Sequence, residues 1–525
     1  MKKTQLCFQM AFVVSITAIT AFGQLIDKTK APNAANEGIN KSLTDEIGAG
    51  RGDVMTPNSS AYIIARDPFR AIRRGRQIFQ RKFQRLDGEA PYLRNGVGDI
   101  ANDIGIGAGS TDSCAACHGR PRGSAGSGGD VVTRPDSRDA PHLFGLGLRE
   151  MLADEITAEL RAWRSAAVAQ ARQSGAAVTL PLTSKGIQYG SITAKPDGTL
   201  DLSKVEGVDP DLRVRPFFAH GQTISIREFV VGAWNNEMGL QAADPELLAA
   251  SLGGRMVTPA GMVLDGKLDT FETPPTPDPT PVPAGTAARN QVATSLVDYL
   301  EFYLLNYFSP AIYQQTDQTA NGRSVFDQIG CSTCHMADLQ IDRDRRVANV
   351  ETVYDPQKGS MNALFSTATP LIKTSTDVAG LPTLKKPMLQ PFLVKNIFTD
   401  FKRHDLGPNF YERNYDGTME KLMMTRPLWG VATSGPYGHD GRSINLTEVI
   451  LRHGGEALQS RDSFANAAPS DRSALLAFLD TLVLFPPDDT ASNLDPGDRT
   501  VTDYPQVHHG SIKLTVLFND PTDIE

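Results

Sequence analysis

A five-residue motif with two cysteines and a histidine occurs twice in this sequence. It reads CAACH at residues 114–118 and CSTCH at residues 331–335. Two thiols at this spacing can add across both vinyl groups of one haem, and the histidine that follows is then placed against the iron as its proximal ligand. With 5 cysteines and 9 histidines in 525 residues, roughly 0.0008 copies of the motif are expected by chance. The repetition therefore predicts two covalently bound haem c groups.

A zinc knuckle or a redox dithiol is the alternative use of such paired cysteines. Both motifs carry the adjacent histidine, however, and no cysteine is left to complete a Cys₄ zinc site. We therefore interpret both motifs as haem sites. The predicted haem-binding residues are Cys114, Cys117, His118, Cys331, Cys334 and His335, with the two histidines as iron ligands.

The N-terminus has the pattern of a secretory signal peptide. Two lysines are followed by a mostly apolar run from Leu6 to Phe22 and a small residue, Gly23. This run is too short for a stable membrane span, so cleavage near Gln24 and a periplasmic product without a membrane span are expected. Cys7 would leave with the signal peptide. The four remaining cysteines are then all used by haem, which is attached after export.

Composition limits the class of partner. The net charge is −8, 40% of residues are hydrophobic and 21% are charged. These values are ordinary for a globular protein, and an acidic chain without a basic stripe is not expected to bind nucleic acid.

The chain is predicted to be mainly α-helical, with two cytochrome c-like domains and a small inserted β arm. The length after signal cleavage suits two or three domains. Six prolines between 274 and 283 predict an irregular linker, which we take as the domain boundary. The expected divisions are a signal peptide (1–23), an N-terminal arm (24–66), a first cytochrome c domain (67–272), a linker (273–285), a second cytochrome c domain (286–485) and a tail (486–525).

Hydrophobic spacing predicts three long helices. The first begins near Asp67 and carries Gly75 and Phe79, a G-x-x-x-F pattern that returns at Gly322 and Phe326. The second spans about 148–174, and the third, at 291–308, should open the second domain. Turn residues between extended pieces at 186–215 predict the β arm.

A thirteen-residue unit is duplicated without a gap at an offset of 220 residues. Residues 221–233 read GQTISIREFVVGA, and residues 441–453 read GRSINLTEVILRH. Each copy contains a capping box, so each is predicted to be a turn that leads into a helix. The copies differ at their last position, which is Ala233 in the first and His453 in the second.

This difference predicts that the two haems are not equivalent. If one such helix reaches over each haem, His453 becomes the sixth ligand of the second iron, whereas Ala233 leaves the first iron open. Bis-imidazole ligation suits electron transfer, and an open iron can bind peroxide or dioxygen. The alternative for His453 is a surface histidine on a helix.

Several motifs near the C-terminus resemble those of a known family. Trp429-Gly430, the HDGR run at 439–442 and the HGGEA run at 453–457 are similar to the signature of the di-haem oxidoreductase family of putative peroxidases. That family is related to bacterial di-haem cytochrome c peroxidases, and the resemblance covers most of residues 67–485. It implies two facing cytochrome c domains, a reactive N-terminal haem and a C-terminal haem that relays electrons.

The resemblance also implies a partner and an ion. The electron donor would be a small periplasmic redox protein, either a cytochrome c or a cupredoxin. Calcium (Ca2+) between the domains is common among the peroxidase relatives, but no carboxylate cluster in this sequence assigns its ligands.

Catalytic residues follow from the same resemblance. The reactive pocket of the peroxidases resembles Leu-Lys-Glu-Gln-x-x-Gly-Pro followed by Glu-Met-Gly, and this chain has IREFVVGA at 226–233 and EMG at 237–239. Glu237 therefore falls on the distal glutamate, which can move a proton between the two oxygens of peroxide. Its alternative role is a loop residue that holds backbone amides. Phe229 and Ala233 replace the glutamine and proline, and the tryptophan expected near 217–219 is missing.

The sequence is compatible with three functions. The first is reduction of hydrogen peroxide at the first haem. The apolar Phe229 and Ala233 favour a second function, a di-haem oxygenase of an apolar substrate, which resembles the rubber oxygenases. The third is an electron carrier without enzymatic activity, which requires both irons to be six-coordinate.

Other side chains could approach a haem but have common structural roles. Single histidines usually bind carbonyls or propionates, single methionines usually fill cores, and Trp429 is expected to pack beside the second haem. The candidates in this group are His142, His220, His404, His439, Met238, Met336, Met423 and Met424.

Overall fold

The computed structural model describes residues 46–81, 83, 113–118, 139–238, 242, 244–271, 274, 292–307, 315–349, 369–370, 372–376, 382–387, 391–414 and 417–483. The predicted signal peptide, nearly all of the proline-rich linker and the predicted tail lie outside these residues. Of the described residues, 42% are helical and 15% are in strands, which agrees with the mainly helical expectation. None of the described helices combines the length and the apolar character that crossing a membrane requires.

The helices follow the predicted spacing closely. The sequence placed helices near Asp67, at 148–174 and at 291–308, and the structure has them at Pro68–Gln80, Leu146–Ser174 and Thr294–Leu305. In chain order the described α-helices are α1 Ser60–Arg66, α2 Pro68–Gln80, α3 Cys114–His118, α4 Leu146–Ser174, α5 Ile226–Met238, α6 Pro245–Ser251, α7 Thr294–Leu305, α8 Asp317–Gln328, α9 Leu446–Arg452, α10 Leu458–Asn466 and α11 Pro469–Leu479.

The strands form small antiparallel sheets. The predicted β arm is a three-stranded meander in the order β1-β2-β3, and it begins at Val178, earlier than the sequence indicated. The other described sheets have two strands each. The strands are β1 Val178–Ser184, β2 Ile187–Ala194, β3 Leu200–Asp201, β4 Arg255–Val257, β5 Val263–Asp265, β6 Leu339–Ile341, β7 Ala348–Asn349, β8 Thr369–Pro370, β9 Ile372–Thr376, β10 Pro382–Pro387, β11 Phe392–Val394, β12 Arg403–Asp405, β13 Glu412–Arg413, β14 Met419–Glu420 and β15 Leu422–Met424.

A first hydrophobic core joins α2, α5 and α7. Every residue of α7 from Ser295 to Leu305 is buried, so this helix is surrounded by protein. It crosses α2 at Gly75, where an added Cβ would lie 2.2 Å from the carbonyl oxygen of Tyr299. Gly75 is therefore needed for the close approach of the two helices.

The position of α7 corrects one prediction. The sequence placed this helix at the start of the second domain, after the proline-rich segment, but Leu296, Leu300 and Leu304 pack in the same core as Ile72 and Trp234 of the first half. Helical periodicity specifies an apolar face but does not specify which core receives it. The chain therefore passes the proline-rich segment before it leaves the first core.

The end of the predicted N-terminal arm is helical. Residues 60–66 form α1, whose N-cap Ser59 accepts a hydrogen bond from the backbone N–H of Tyr62. Ile63 is fully buried in the first core. The helix is 7 residues long and follows a mostly polar segment at 46–59, so the sequence shows no clear helical periodicity here.

A further core lies between α8 and α11. Phe326, Phe398 and Phe478 pack edge to face, with ring centroids 5.5–5.8 Å apart. A Cβ at Gly322 would lie 1.9 Å from the carbonyl oxygen of Ala474 in α11. The repeated G-x-x-x-F pattern therefore has the same role twice, since each glycine admits a crossing helix on the N-terminal side of a CxxCH motif.

Candidate haem sites

The first motif lies on the short helix α3. His118 Nδ1 lies 2.8 Å from the carbonyl oxygen of Pro141. A carbonyl oxygen only accepts, so Nδ1 carries the proton and Nε2 keeps its lone pair for a metal. Burial lowers the pKa of His118, which keeps the ring neutral. These are the tautomer and protonation state that a proximal iron ligand needs.

The cysteine at the start of this motif lies against the end of α5. Cys114 Sγ is 4.0 Å from Met238 Sδ. Burial raises the pKa of the Cys114 thiol to about 12. The last turn of α5, which carries Glu237, is therefore next to the first motif.

The second motif has the same histidine chemistry on a different support. Cys331–Thr333 form a 3₁₀ turn, and His335 Nδ1 donates to the carbonyl oxygen of Phe398 at 3.0 Å. Burial lowers the pKa of His335 to about 4. Nε2 of His335 is again left with a free lone pair.

A cavity of about 310 Å³ opens beside the second motif. Cys331, Cys334, His335 and His453 all line it. His453 follows α9, and its Nδ1 donates to the carbonyl oxygen of Val449 at 2.7 Å. Burial lowers the pKa of His453. His335 and His453 are therefore neutral, with Nδ1 engaged and Nε2 able to bind a metal.

The duplicated unit has the same local geometry in both copies. Glu228 accepts a hydrogen bond from the Ile224 N–H at 2.8 Å, and Glu448 accepts one from the Ile444 N–H at 2.8 Å. A single β-bridge precedes each helix, at Phe217–Thr223 and at Tyr437–Ser443, again 220 residues apart. The predicted turn into a helix and the N-cap bonds of Ser225 and Asn445 are thus confirmed in both halves, but each glutamate accepts from the residue before the N-cap rather than from the N-cap itself.

The two copies of the duplicated unit differ in structure at the position of the candidate iron ligand. Helix α9 ends at Arg452, and His453 is its C-cap with an extended ψ of 137°. Helix α5 continues through Ala233 to Met238. The second copy therefore presents an imidazole at a helix end, whereas the first presents a methyl group within a helix.

The predicted catalytic residues share one face of α5. Phe229, Ala233 and Glu237 are four residues apart, so they lie in one row along the helix, and all three are half-buried. The parallel row of Val230, Trp234 and Met238 is buried in the first core, at 3%, 1% and 2% exposure. The core thus fixes the rotation of α5 and with it the direction of the Phe229 row.

Phe229 is part of an aromatic cluster. Its ring centroid is 5.9 Å from that of Phe217 and 5.2 Å from that of Phe218. Phe217 and Phe218 occupy the segment where the sequence comparison expected a tryptophan. The surroundings of Phe229 are therefore apolar.

A tryptophan of the second half, Trp429, contacts the first half. Trp429 lines the cavity, and its ring lies so close to Gly145 that an added Cβ there would be 2.7 Å from Trp429 Cη2. Its carbonyl oxygen accepts a hydrogen bond from His142 Nε2 at 3.0 Å. His142 follows Pro141, whose carbonyl oxygen is the partner of His118. Two hydrogen bonds and one peptide link therefore connect the first motif with Trp429 at the cavity of the second motif. Sequence reasoning placed Trp429 beside the second haem but missed this link.

His142 is a structural residue by its hydrogen bonds. Its Nδ1 accepts from the Phe144 N–H at 3.2 Å, and its Nε2 donates to Trp429. Both ring nitrogens are used, so His142 has no atom left for iron. Burial lowers its pKa to about 4.

Acid should therefore destabilise the fold through His142. The unfolded chain takes up a proton near pH 6.5, but the folded ring resists it down to about pH 4, so stability falls across this interval by about 3 kcal/mol. We expect His142→Gln, which keeps a donor and an acceptor, to lose less unfolding free energy than the wild type when urea titrations at pH 7 and pH 4.5 are compared. Equal losses in both proteins would refute this assignment.

The remaining histidines of the described residues lie beside carboxylates. His220 Nε2 lies 2.8 Å and His439 Nε2 lies 3.5 Å from the same oxygen of Glu412. His404 contacts Asp400 at 2.9 Å. Burial alone would lower the pKa of His404, but its hydrogen bonds with Asp400 and Cys334 raise it to about 11.

One cluster of possible metal ligands occurs among the described residues. The ligand atoms of Cys334, Asp400 and His404 lie within 4.8 Å of one another. Cys334 is also required by the haem motif, and a thiol does not suit calcium, which binds oxygen ligands. The described residues therefore assign no calcium site.

The methionine candidates divide into two groups. Met423 and Met424 line the cavity of the second motif and are almost fully buried. Met238 packs in the first core, and Met336 packs beside α4. The structure thus brings two of the four near the second histidine pair.

The residues around the cavity fit a haem. The four motif cysteines form no disulfide, the three candidate iron ligands have free Nε2 atoms, and a buried guanidinium, that of Arg149, lines the cavity with an Nε that has no hydrogen-bond partner. An unpaired buried cation beside a cavity is suited to the carboxylates of a porphyrin.

Two solved structures show partial similarity to this chain. Hydrazine synthase of Kuenenia stuttgartiensis pressurised with 20 bar xenon is 15% identical with a TM-score of 0.22, over 36% of this chain and 56% of that one. A MauG-like protein associated with microbial copper homeostasis is 15% identical with a TM-score of 0.17, over 38% of this chain and 62% of that one. The chain thus spans less than two thirds of each.

The sequence comparisons locate the family signal in the second half. A search of curated proteins finds no match. Residues 357–482 match the model of the family described as di-haem oxidoreductase, putative peroxidase. The resemblance predicted from the motifs around Trp429 and His453 is confirmed over this segment, which carries the signature of the di-haem oxidoreductases.

Proposed function

We propose that this protein is a periplasmic di-haem c oxidoreductase that reduces hydrogen peroxide at its N-terminal haem, with electrons relayed through a C-terminal bis-histidine haem. One observation carries the proposal: the duplicated helix presents His453 in the second half and Ala233 in the first. The confirmed family match supports a di-haem redox enzyme. In this proposal each haem belongs to one cytochrome c domain.

Seven side chains would hold the two haems. Each cysteine pair would form two thioether bonds, and when bound, the haem irons supply the redox chemistry. The carbonyl groups of Pro141, Phe398 and Val449 orient the histidine rings through Nδ1. The holding residues are Cys114, Cys117, His118, Cys331, Cys334, His335 and His453.

Glu237 would act as the acid and base of the reaction. It is half-buried in the last turn of α5, next to Met238, whose sulfur lies 4.0 Å from Cys114 Sγ. A carboxylate at this place can accept the proton of the near peroxide oxygen and return it to the far oxygen, which then leaves as water. Two electrons and two protons convert one peroxide to two waters.

The electron donor would be a small periplasmic redox protein. Three apolar side chains near the candidate ligand His453 are exposed: Ile444 at 76%, Leu451 at 43% and Leu458 at 44%. Weak electron-transfer complexes use small interfaces of this kind. We place the donor at this surface, close to the second haem.

A di-haem oxygenase is the second candidate, and the cluster of Phe217, Phe218 and Phe229 favours it. An apolar distal pocket suits dioxygen and an apolar substrate better than peroxide, since peroxide cleavage needs a proton donor. Oxygen uptake with an apolar alkene, compared with peroxide turnover by the reduced protein, separates the two.

Spectroscopy tests the unequal coordination. We expect two haem c per chain, with one low-spin centre and one centre that binds carbon monoxide after reduction, because only the second haem has a second imidazole. Absorption and electron paramagnetic resonance spectra of the wild type and His453→Ala measure this. The variant should gain a second high-spin centre, and added imidazole should restore the low-spin signal. Absence of carbon monoxide binding in every redox state would indicate an electron carrier and refute both enzyme functions.

A further inference from the structure

The guanidinium of Arg149 is buried without a counter-ion. Arg149 lies in the first turn of α4 and is 6% exposed. It donates one hydrogen bond to the carbonyl oxygen of Pro216, and its Cζ lies 5.4 Å from the ring centroid of Phe217. Its Nε has no hydrogen-bond partner, and it forms no ion pair with a described residue.

Two other arginines in the described part of the chain are neutralised by carboxylates. Arg227 contacts Asp244, Asp298 and Glu301. Arg345 contacts Glu150, the residue that follows Arg149, at 2.7 Å. A buried charge is costly unless it is paired. Arg149 differs from Arg227 and Arg345 because it forms no ion pair with a described carboxylate.

A second cation lies close to Arg149. Arg426 lines the same cavity, and burial together with the charge of Arg426 lowers the pKa of Arg149 to about 9. Asp139 also lines the cavity, but burial raises its pKa to about 6. This wall therefore carries two arginines and one carboxylate, and Asp139 interacts with the charge of Arg426.

We propose that Arg149, with Arg426 beside it, binds a propionate carboxylate of the second haem at the junction of the two halves. Both arginines line the cavity that also contains Cys331, His335 and His453. A guanidinium binds a carboxylate through charge-assisted hydrogen bonds, and the unpartnered Nε supplies one donor. The inference rests on the proposed function only in that a haem occupies this cavity.

The arrangement ties the second haem to the first half of the chain. Arg149 belongs to α4, and Arg426 precedes the Pro427 to Trp429 segment that contacts Gly145. Binding of one carboxylate by both arginines would hold α4 against this segment. Arg149 is thus a positioning residue for the haem rather than a catalytic one.

The test compares Arg149→Met with Arg149→Lys in the haem-loaded full chain. Loss of a positive charge beside a propionate disfavours the reduced haem, so the midpoint potential of the low-spin haem should fall in Arg149→Met and stay near the wild-type value in Arg149→Lys. Arg461→Met is the matched control, since Arg461 lines the same cavity but is already paired with Asp462 at 2.7 Å. Spectroelectrochemical titration measures all four proteins.

An unchanged low-spin potential in Arg149→Met, with two haems still bound, would overturn the proposal. If Arg149→Met does not accumulate, Arg149→Gln keeps the hydrogen bond to Pro216 without the charge, and the same fall is expected. Haem content, measured by pyridine haemochrome, and peroxide turnover separate this outcome from failure of the proposed function, since a wild type that binds two haems but does not turn over peroxide would refute the latter alone.

Discussion

Replacing Arg227 by methionine is expected to lower the free energy of unfolding by about 3–5 kcal/mol. The Arg227 side chain is fully buried, and its guanidinium contacts Asp244 at 2.5 Å, Asp298 at 2.8 Å and Glu301 at 2.8 Å. Without it, three buried carboxylates have lost their common partner. Urea titration at pH 7 measures the loss.

The control for this variant is Arg461→Met, since the Arg461 pair is partly exposed and such pairs contribute at most about 1 kcal/mol. The direction in which the unfolding free energy changes with pH is a second check. Burial already raises the pKa of Glu301, and removal of Arg227 raises it further, so Arg227→Met should regain stability relative to the wild type as pH falls and the carboxylates protonate. Equal losses in both variants at pH 7 would show that the cluster is not needed for stability.

This ion cluster also explains how the candidate site is positioned. Arg227 is the second residue of α5, and Asp298 and Glu301 belong to α7. Ser60 and Thr258 donate to the outer oxygens of Asp298 and Glu301 at 2.6 Å each. The start of α5 is thus fixed to α7, and the row of Phe229, Ala233 and Glu237 inherits its direction from that attachment.

The features that sequence predicted well are local ones. The N-cap bonds to Glu228 and Glu448 depend on residues three positions apart, and the helix near Asp67 depends on a proline after its N-cap. Such signals need no knowledge of the rest of the fold. The duplication could be recognised from the sequence for the same reason, since the two copies form matching hydrogen bonds between residues three or four positions apart.

The features that sequence missed depend on distant partners. The packing of α7 in the first core requires a close approach to α2 at Gly75, far earlier in the chain. The bond from His142 to Trp429 joins residues 287 positions apart. A single arginine such as Arg149 looks like any other in a sequence, and it is identified only by its burial with an Nε that bonds no described residue.

Replacing Glu237 by glutamine is expected to reduce peroxide turnover by about 10²–10⁴-fold. Glutamine keeps the size and hydrogen-bonding capacity of the side chain, but it cannot accept and return a proton. The half-buried Glu237 lies on the same row of α5 as Ala233, at the end of the helix that contacts Cys114 through Met238. Steady-state peroxide consumption with a reduced donor measures the rate, and carbon monoxide binding should stay unchanged because no haem ligand is altered.

The matched control is Glu246→Gln on the neighbouring helix α6, whose side chain is 51% exposed and pairs with Arg51. It should keep wild-type turnover. If Glu237 only holds backbone amides, Glu237→Gln will change the unfolding free energy and leave the rate intact, so urea titration belongs with the kinetics. Full peroxide activity in Glu237→Gln would remove this residue from the chemistry. It would also favour the oxygenase, since the aromatic cluster at Phe229 would then face an apolar substrate that needs no proton donor.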